Sequence, residues 1–277
     1  MKTFLSALVL FSTSAFAWGP TGHRVVGEIA EKHIKVETLA KVRKVLNGES
    51  LARVANWPDE IKSEPAKYGY TFNWHYTDWK DDQENHDHEH STGKLLPALD
   101  EQIATLKDEK KTEAEKAFAL KFLVHLMGDL HMPLHVGNGI DQGGNFCKVL
   151  FHNTPSNLHR VWDEDMIDFT RLSFTELTQF VSRTHGLKSL EYKQGSILDW
   201  AKESKEIRQM IYPPAVLIEE SGAGSPTYCL RPYNEVAANL PKISYEYSYQ
   251  FVPVMEKRLF QAGVRLAKIL DDIYSAQ

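Results

Sequence analysis

Histidine and aspartate stand four residues apart at two places in this chain, His125 with Asp129 and His159 with Asp163. On a helix, positions i and i+4 share a face, so each pair can turn an imidazole nitrogen and a carboxylate oxygen toward one ion. His131 and His135 lie between the pairs, His135 just past Pro133, where a helix must end or bend. One His-x-x-x-Asp pair is often only a solvated face. Two of them, with further histidines between, point to metal ligation. Nitrogen and oxygen donors without cysteine fit zinc sites that keep a position open for water or substrate. His125 is also set in an apolar run, Phe122-Leu-Val-His-Leu-Met127. A buried imidazole there needs a partner, and Asp129 one turn on can be that partner.

Further candidates lie upstream: His23 in Trp18-Gly-Pro-Thr-Gly-His23, Asp59 in Asn56-Trp-Pro-Asp59, and His75 in Trp74-His75-Tyr76. Each has a plainer reading alone. Asp59 can cap a helix, and His75 can fill an aromatic strand face. Four residues are candidates for a supporting role. Lys62, one turn after Asp59, can touch a phosphate or simply be solvated. Asp78, three after His75, can orient a metal-bound water or a ligand histidine. Asn145 follows two glycines that permit close approach and can bind a base or a phosphate. Tyr76 can stack on an unpaired base or pack in the core. His86, His88 and His90 read as an exposed loop rather than another metal site.

The elements that must position these residues are mostly helical. Met255, Leu259, Ala262, Leu266, Ile269 and Ile273 form the stripe of a long C-terminal helix. Val25, Ile29 and His33, then Leu39, Val42 and Leu46, predict two shorter helices, the second stopping near Gly48. Residues 98–106, 113–130, 174–181 and 197–211 carry further helical patterns, with 113–130 unusually apolar and therefore central. Residues 148–152 (KVLFH) predict a strand in a short hairpin with residues 73–78. Residues 81–93 and 212–233 read as loops. The expected class is mainly α, a single compact helical domain over residues 18–277 with a minor β-hairpin.

The ends and the composition narrow the setting. Lys2, a short apolar run and Ala15-Phe16-Ala17 have the form of a cleavable signal peptide over residues 1–17, cut after Ala17. That run is too short to span a bilayer, and no membrane span is expected elsewhere. The protein is therefore expected to be secreted or periplasmic, with Trp18 as its new terminus. A tryptophan there is costly to expose unless the terminus folds inward. The formal charge of −5 argues against a duplex binder relying on a lysine–arginine surface. A polyanionic substrate would need bound metal as its positive partner. Cys147 and Cys229 are the two cysteines; in an oxidising compartment they can pair, but sequence alone leaves the bridge open.

Taken in order, Trp-Gly-x-x-Gly-His, Trp-Pro-Asp, Trp-His-Tyr, His-x-x-x-Asp-x-x-x-Pro-Leu-His, Gly-Gly-Asn and Asn-Leu-His-x-x-Trp-Asp resemble the S1/P1 nuclease family of zinc-dependent, single-strand-specific nucleases. The motifs run from Trp18 to Asp163, and Pro253-Val-Met-Glu-Lys-Arg-Leu fits the family's closing helix. The resemblance implies a phospholipase C/nuclease type of helical fold around a cleft with three Zn²⁺. Asp59, His75, His125 and Asp129 would hold one ion. Trp18, through its α-amine and carbonyl, would join His23 and the shared Asp129 on a second. His135, His159 and Asp163 would hold the third. The implied activity is hydrolysis of single-stranded DNA and RNA to 5′-phosphate products, with 3′-nucleotidase activity left open. No stable protein partner is implied, and a monomer is expected. Zinc would attract the phosphodiester despite the acidic chain and bring its water to a pKa near ~7. Asp59, Asp129, Lys62 and Asp78 would serve the reaction; Asn145, Tyr76 and Lys62 would bind substrate. The rival is a zinc phospholipase C, whose last ligand pair is His-x-x-x-Glu after a shorter gap; Asp163 and the long gap from His135 favour the nuclease. A non-catalytic zinc-binding protein would tolerate lost ligands, and none is lost. The histidine-rich stretch within residues 81–93 is not part of the motif pattern.

Overall fold

The computed structural model describes residues 18–213, 227–230 and 240–275. The signal-peptide segment, and most of the expected loop at 212–233, lie outside the described residues. Helix α1 (Pro20–His33) starts with proline in its first turn, where the missing N–H would have had no helical partner anyway. Helix α2 (Val36–Val45) stops, as its sequence predicts, at two left-handed residues, Asn47 and Gly48. Helix α3 (Leu95–Lys107) leads to α4 (Glu113–His131). A reciprocal cap opens α4: Thr112 Oγ1 accepts from Glu115 N at 3.2 Å while Glu115 Oε2 accepts from Thr112 N at 2.9 Å. Every residue of α4 from Phe122 to His131 is buried, the all-round pattern of a central helix.

Around α4 pack α3, α1, α6 (Ile197–Ile211) and the long α7 (Tyr245–Ser275), with α5 (Phe174–His185) set against α1 and α7. The crossing of α1 and α7 is close because Gly263 carries no side chain. A Cβ there would come within 2.5 Å of Ile29 Cβ. Helix α7 begins ten residues before the Met255 stripe and runs through Pro253. Proline removes one helical hydrogen bond, but Tyr247, Ser248 and Phe251 on this first stretch are buried. Tyr247 also ties the stretch down, donating to Ile211 O at 2.7 Å and accepting from Trp162 Nε1 at 2.8 Å.

The strands are short. β1 (Thr77–Asp78) pairs in parallel with β2 (Val136–Gly137). β3 (Lys148–Phe151) pairs antiparallel with β4 (Thr154–Asn157) and parallel with β5 (Lys242–Ile243). The expected hairpin between residues 148–152 and 73–78 is thus corrected. His152 and Asn153 both adopt left-handed φ, 47° and 66°, the two-residue turn that suits the twist of adjacent strands. The chain therefore folds straight back onto Thr154–Asn157. Residues Gly69–His75 meanwhile wind into a 3₁₀ helix. The class is mainly α with minor β, as the periodicity predicts.

Candidate metal centre

Helix α4 sets His125 and Asp129 one turn apart on one face, both fully buried. Asp129 turns its two oxygens in different directions. Oδ2 lies 3.1 Å from His75 Nδ1 and 3.4 Å from His125 Nε2; Oδ1 lies 3.5 Å from His23 Nε2. Asp59, from the turn Trp57–Glu60, brings Oδ1 to 3.6 Å from His125 Nε2 and 3.8 Å from His75 Nδ1. His23 from α1 stacks on His125, ring centroids 3.8 Å apart. Its place depends on Gly128, where a Cβ would come within 2.7 Å of His23 Nδ1. Two donor triplets result, His75–His125–Asp129 and His23–Asp59–His125, sharing His125. The family pattern assigns His23 to an ion with Asp129. The geometry brings it near both carboxylates.

A separate triplet forms from His135, His159 and Asp163. His159 Nε2 lies 2.9 Å from Asp163 Oδ2, and His135 Nε2 lies 3.8 Å from Asp163 Oδ1. His135 follows Pro133 in a 3₁₀ turn directly after α4. His159 sits in the short helix Leu158–Arg160, capped by Asn157, whose side chain accepts from Arg160 N. A π-helical turn, Val161–Asp165, then carries Asp163. The parallel pairing of β1 with β2 joins the groups, because it lays the chain after His75 beside the chain after His135.

Three of these histidines are oriented by backbone carbonyls. The Nδ1 of His125 donates to Ala55 O at 2.7 Å, that of His135 to His75 O at 2.5 Å, and that of His159 to Gly143 O at 2.7 Å. With Nδ1–H committed, Nε2 keeps its lone pair and faces the carboxylates, the second-contact arrangement typical of metal-ligating histidine. Several buried donor atoms also have no hydrogen-bond partner among the described residues: both ring nitrogens of His23, Asp129 Oδ1, His135 Nε2 and Asp163 Oδ1. Such atoms are costly in a dry interior unless a cation meets them. The residues therefore fit divalent metal.

Electrostatics agrees. Burial drives the His23 and His75 imidazoles well below their ordinary value and His125 down to about 4. They are neutral, as ligation requires. Burial, with Asp59 and Asp163 nearby, pushes the Asp129 carboxyl well above the usual range. Burial also acts upward on Asp163, but His159 and His135 beside it hold its carboxyl below the usual value. Lys62 Nζ lies 2.6 Å from Asp59 Oδ1 and supplies one cation at the edge.

The donors open onto a cleft of about 560 Å³. Lys62, His75, Tyr76, Asp78, His135, Asn145 and His159 all line it, so the supporting residues singled out from sequence gather with the ligand candidates. Asp78 does not touch a candidate ligand, however. Its carboxylate is held by Thr92, whose N and Oγ1 lie 3.1 and 2.6 Å from Oδ2. Asn145 turns its amide back to Gln142 O at 2.9 Å. Trp18 is fully buried against Gly22 and Gly128, with Gly19 N donating to Asp163 O at 2.8 Å. The inward-folded segment expected at Trp18 is present.

Other expectations separate from the site. His131 points away from the donors and lies against Arg265, Nε2 to Nη1 3.0 Å. His86 is tied to Thr77 Oγ1 at 2.7 Å, and His90 to Asp87 Oδ2 at 2.9 Å. Cys147 and Cys229 form a disulfide, which settles the open pairing and removes both thiolates as ligands beside Asp141. Thr92, Phe72 and Ile140 also line the cleft and were not singled out by residue type. Among the described residues no helix is long and apolar enough to cross a membrane.

Comparison with known proteins places this arrangement. The S1/P1 nuclease family model matches residues 18–275. Endonuclease 3 of Arabidopsis thaliana is 34% identical, over 99% of this chain and 95% of that protein. Nuclease S1 of Aspergillus oryzae is 28% identical over 98% and 96%, and Nuclease P1 of Penicillium citrinum 26% over 94% and 99%. The match favours the nuclease over the phospholipase reading, and the chain belongs to the S1/P1 nuclease family, hydrolases of the phosphodiester bonds of nucleic acids.

Proposed function

We propose that this protein is a secreted or periplasmic, monomeric endonuclease that cuts single-stranded DNA and RNA to 5′-phosphate products with three Zn²⁺. The observation that carries the reading is the set of buried, unpartnered histidine and aspartate atoms converging at one end of a nucleotide-sized cleft. Asp59, His75, His125 and Asp129 would hold one ion. Trp18, His23 and Asp129 would hold a second, and His135, His159 and Asp163 the third. Bound there, zinc would supply Lewis-acid stabilisation of phosphoryl charge and a water acidic enough to ionise near pH ~7.

The chain's own residues supply the rest. Lys62 stands at the cleft edge beside Asp59, placed to meet a phosphate oxygen. Tyr76 offers a ring to an unpaired base, which exposes a face that a paired and stacked base hides. Asp78 offers a carboxylate oxygen beside that ring. Buried Leu134 and the backbone of Gly143 close the inner wall and limit water. The cleft's charge then comes from metal rather than from a basic surface, in keeping with the net charge of −5.

The test uses protein beginning at Trp18. Zinc per chain is counted by elemental analysis, and the same sample is assayed on single-stranded DNA, RNA and phosphatidylcholine. Close to three zincs, with nucleic-acid cleavage to 5′-phosphates that chelation abolishes, is the expected result. Lipid cleavage alone, or a chain that takes up little zinc, would sink the reading.

A further inference from the structure

Helix α5 ends at His185, and two short turns follow it, Gly186–Lys188 and Ser189–Tyr192. Leu187 in the first is fully exposed, and Leu190 in the second is 76% exposed. The turns that carry them are anchored. Tyr192 is buried with its ring 6.1 Å from that of Phe260, and its carbonyl accepts from Arg265 Nε at 2.7 Å. The two leucines are therefore held outward on a fixed knob.

Lysines gather around the same knob. Buried Phe260 meets three rings, with centroids at 5.5 Å for His33, 5.9 Å for His185 and 6.1 Å for Tyr192. Each ring brings a lysine with it. Lys32 precedes His33 on α1, Lys188 comes three residues after His185, and Lys193 follows Tyr192. From α7, Lys257 reaches over the Tyr192 ring at 5.6 Å. Burial lowers both imidazoles, and lysines lower them further, Lys257 and Lys188 at His185, Lys193 and Lys32 at His33. Glu28 pairs with Lys32 at 3.1 Å, and Glu191 lies on the knob itself. The field at both histidines is still positive, a local reversal of sign in a chain of net charge −5.

Helix α1 separates this face from the metal centre. His23 and His33 lie ten residues apart on it, about 15 Å along the axis. None of the cleft-lining residues belongs to the face. Exposed apolar side chains rimmed by cations suit an anionic lipid surface. Leucines enter the boundary between head groups and acyl chains, while the lysine ammoniums stay with the phosphates. Nucleic acid would reward the lysines but not the leucines. We infer that this face docks the protein on membranes containing anionic phospholipid, with Leu187 and Leu190 inserted and Lys32, Lys188, Lys193 and Lys257 on the head groups. A protein docked this way leaves its cleft uncovered. The inference goes beyond the reading of the cleft and does not depend on it.

The test is flotation of zinc-loaded protein beginning at Trp18 with vesicles of phosphatidylcholine, alone or mixed with phosphatidylglycerol. Wild type should bind only the anionic vesicles, and added salt should release it. Lys188→Gln combined with Lys193→Gln should weaken binding roughly 25-fold, because each lysine near such a surface contributes a factor of about five. Leu187→Ser combined with Leu190→Ser should weaken it roughly tenfold at unchanged charge. Zinc content and thermal melting should be the same in all three proteins, since neither pair touches the cleft or the core. No binding to anionic vesicles would overturn the inference. So would binding that the leucine pair leaves untouched, because charge alone would then explain it, or binding that the lysine pair leaves untouched. If wild type instead self-associates in sedimentation and the leucine pair abolishes this, a second copy covers the face and the membrane reading fails.

Discussion

Asp129 is the residue on which the candidate centre turns. Its two oxygens face different histidines, His75 and His125 on one side and His23 on the other. Asp163, in contrast, lies against His159 and His135 of one triplet. On the proposed ligand set, Asp129→Asn should strip two zinc ions per chain and Asp163→Asn one, read by elemental analysis after dialysis. Equal losses in the two variants would reject the bridging role. The i, i+4 spacing in the sequence announces that His125 and Asp129 act together, because helical geometry fixes their shared face. What spacing does not reveal is tautomer. The carbonyls of Ala55, His75 and Gly143 that orient three imidazoles are backbone atoms from distant segments, and side-chain identity carries no trace of them. Asp78 illustrates the same limit. Three residues from His75, it reads as a partner for a metal-bound water or a ligand histidine, and spacing gives no sign that the extended chain at β1 brings its carboxylate to Thr92.

At the scale of elements, close approach decides what the helices can hold. Two glycines mark close contacts to α1, and they predict different failures. Gly263 lies where α7 crosses α1, and a methyl there would press on Ile29. Gly263→Ala should cost stability, on the order of 1–3 kcal/mol from overpacking, measured by denaturant unfolding. Gly128 lies where α4 meets the His23 ring. Gly128→Ala should displace that ring and lower zinc content more than it lowers stability. A Gly128→Ala protein with full zinc would show that His23 is not a ligand. The long helices were legible because each presents an apolar stripe or, in α4, an unbroken buried run. The hairpin was legible as a strand but not in its partner, since two-residue turns at non-glycine positions are weak signals. His152-Asn153 lacks the Asn-Gly or Asp-Gly pair that usually declares such a turn. Likewise, the start of α7 was hidden by Pro253, which sequence reasoning takes as a boundary and tertiary packing overrides.

Across the whole molecule, the same α4 that carries His125 and Asp129 toward the cleft carries His131 into a charged network on its opposite side. Arg258 donates to His131 O at 3.1 Å and meets Glu203 at 2.5 Å; Arg265 meets Glu203 at 2.6 Å and His131 Nε2 at 3.0 Å. Helices α4, α6 and α7 are thus locked together by ionic contacts directly behind the candidate centre. Burial, reinforced by Arg258 and Arg265, holds the His131 imidazole well below its ordinary value. Burial pushes the Glu203 carboxyl upward, but the two arginines outweigh it and leave it below the usual range. Both shifts mean that the unfolded chain takes up protons before the folded one does, so acid favours unfolding. For His131 the stabilisation is complete above its unfolded value of about 6.5 and declines as pH falls below it. For Glu203 it is complete above about 4.3 and is lost as pH falls through the lower folded value. Zinc-saturated protein should therefore lose thermal stability in two stages on acidification. His131→Gln should flatten the first stage, between about pH 7 and 5. Glu203→Gln should flatten the second and weaken the fold at neutral pH. That loss is on the order of 2 kcal/mol, below the value for a fully buried pair because Glu203 is 37% exposed. Thermal melts of the three proteins across pH decide the matter. If His131→Gln keeps the wild-type slope between pH 7 and 5, the acid sensitivity comes from the metal-site histidines, and the network behind them is indifferent to pH.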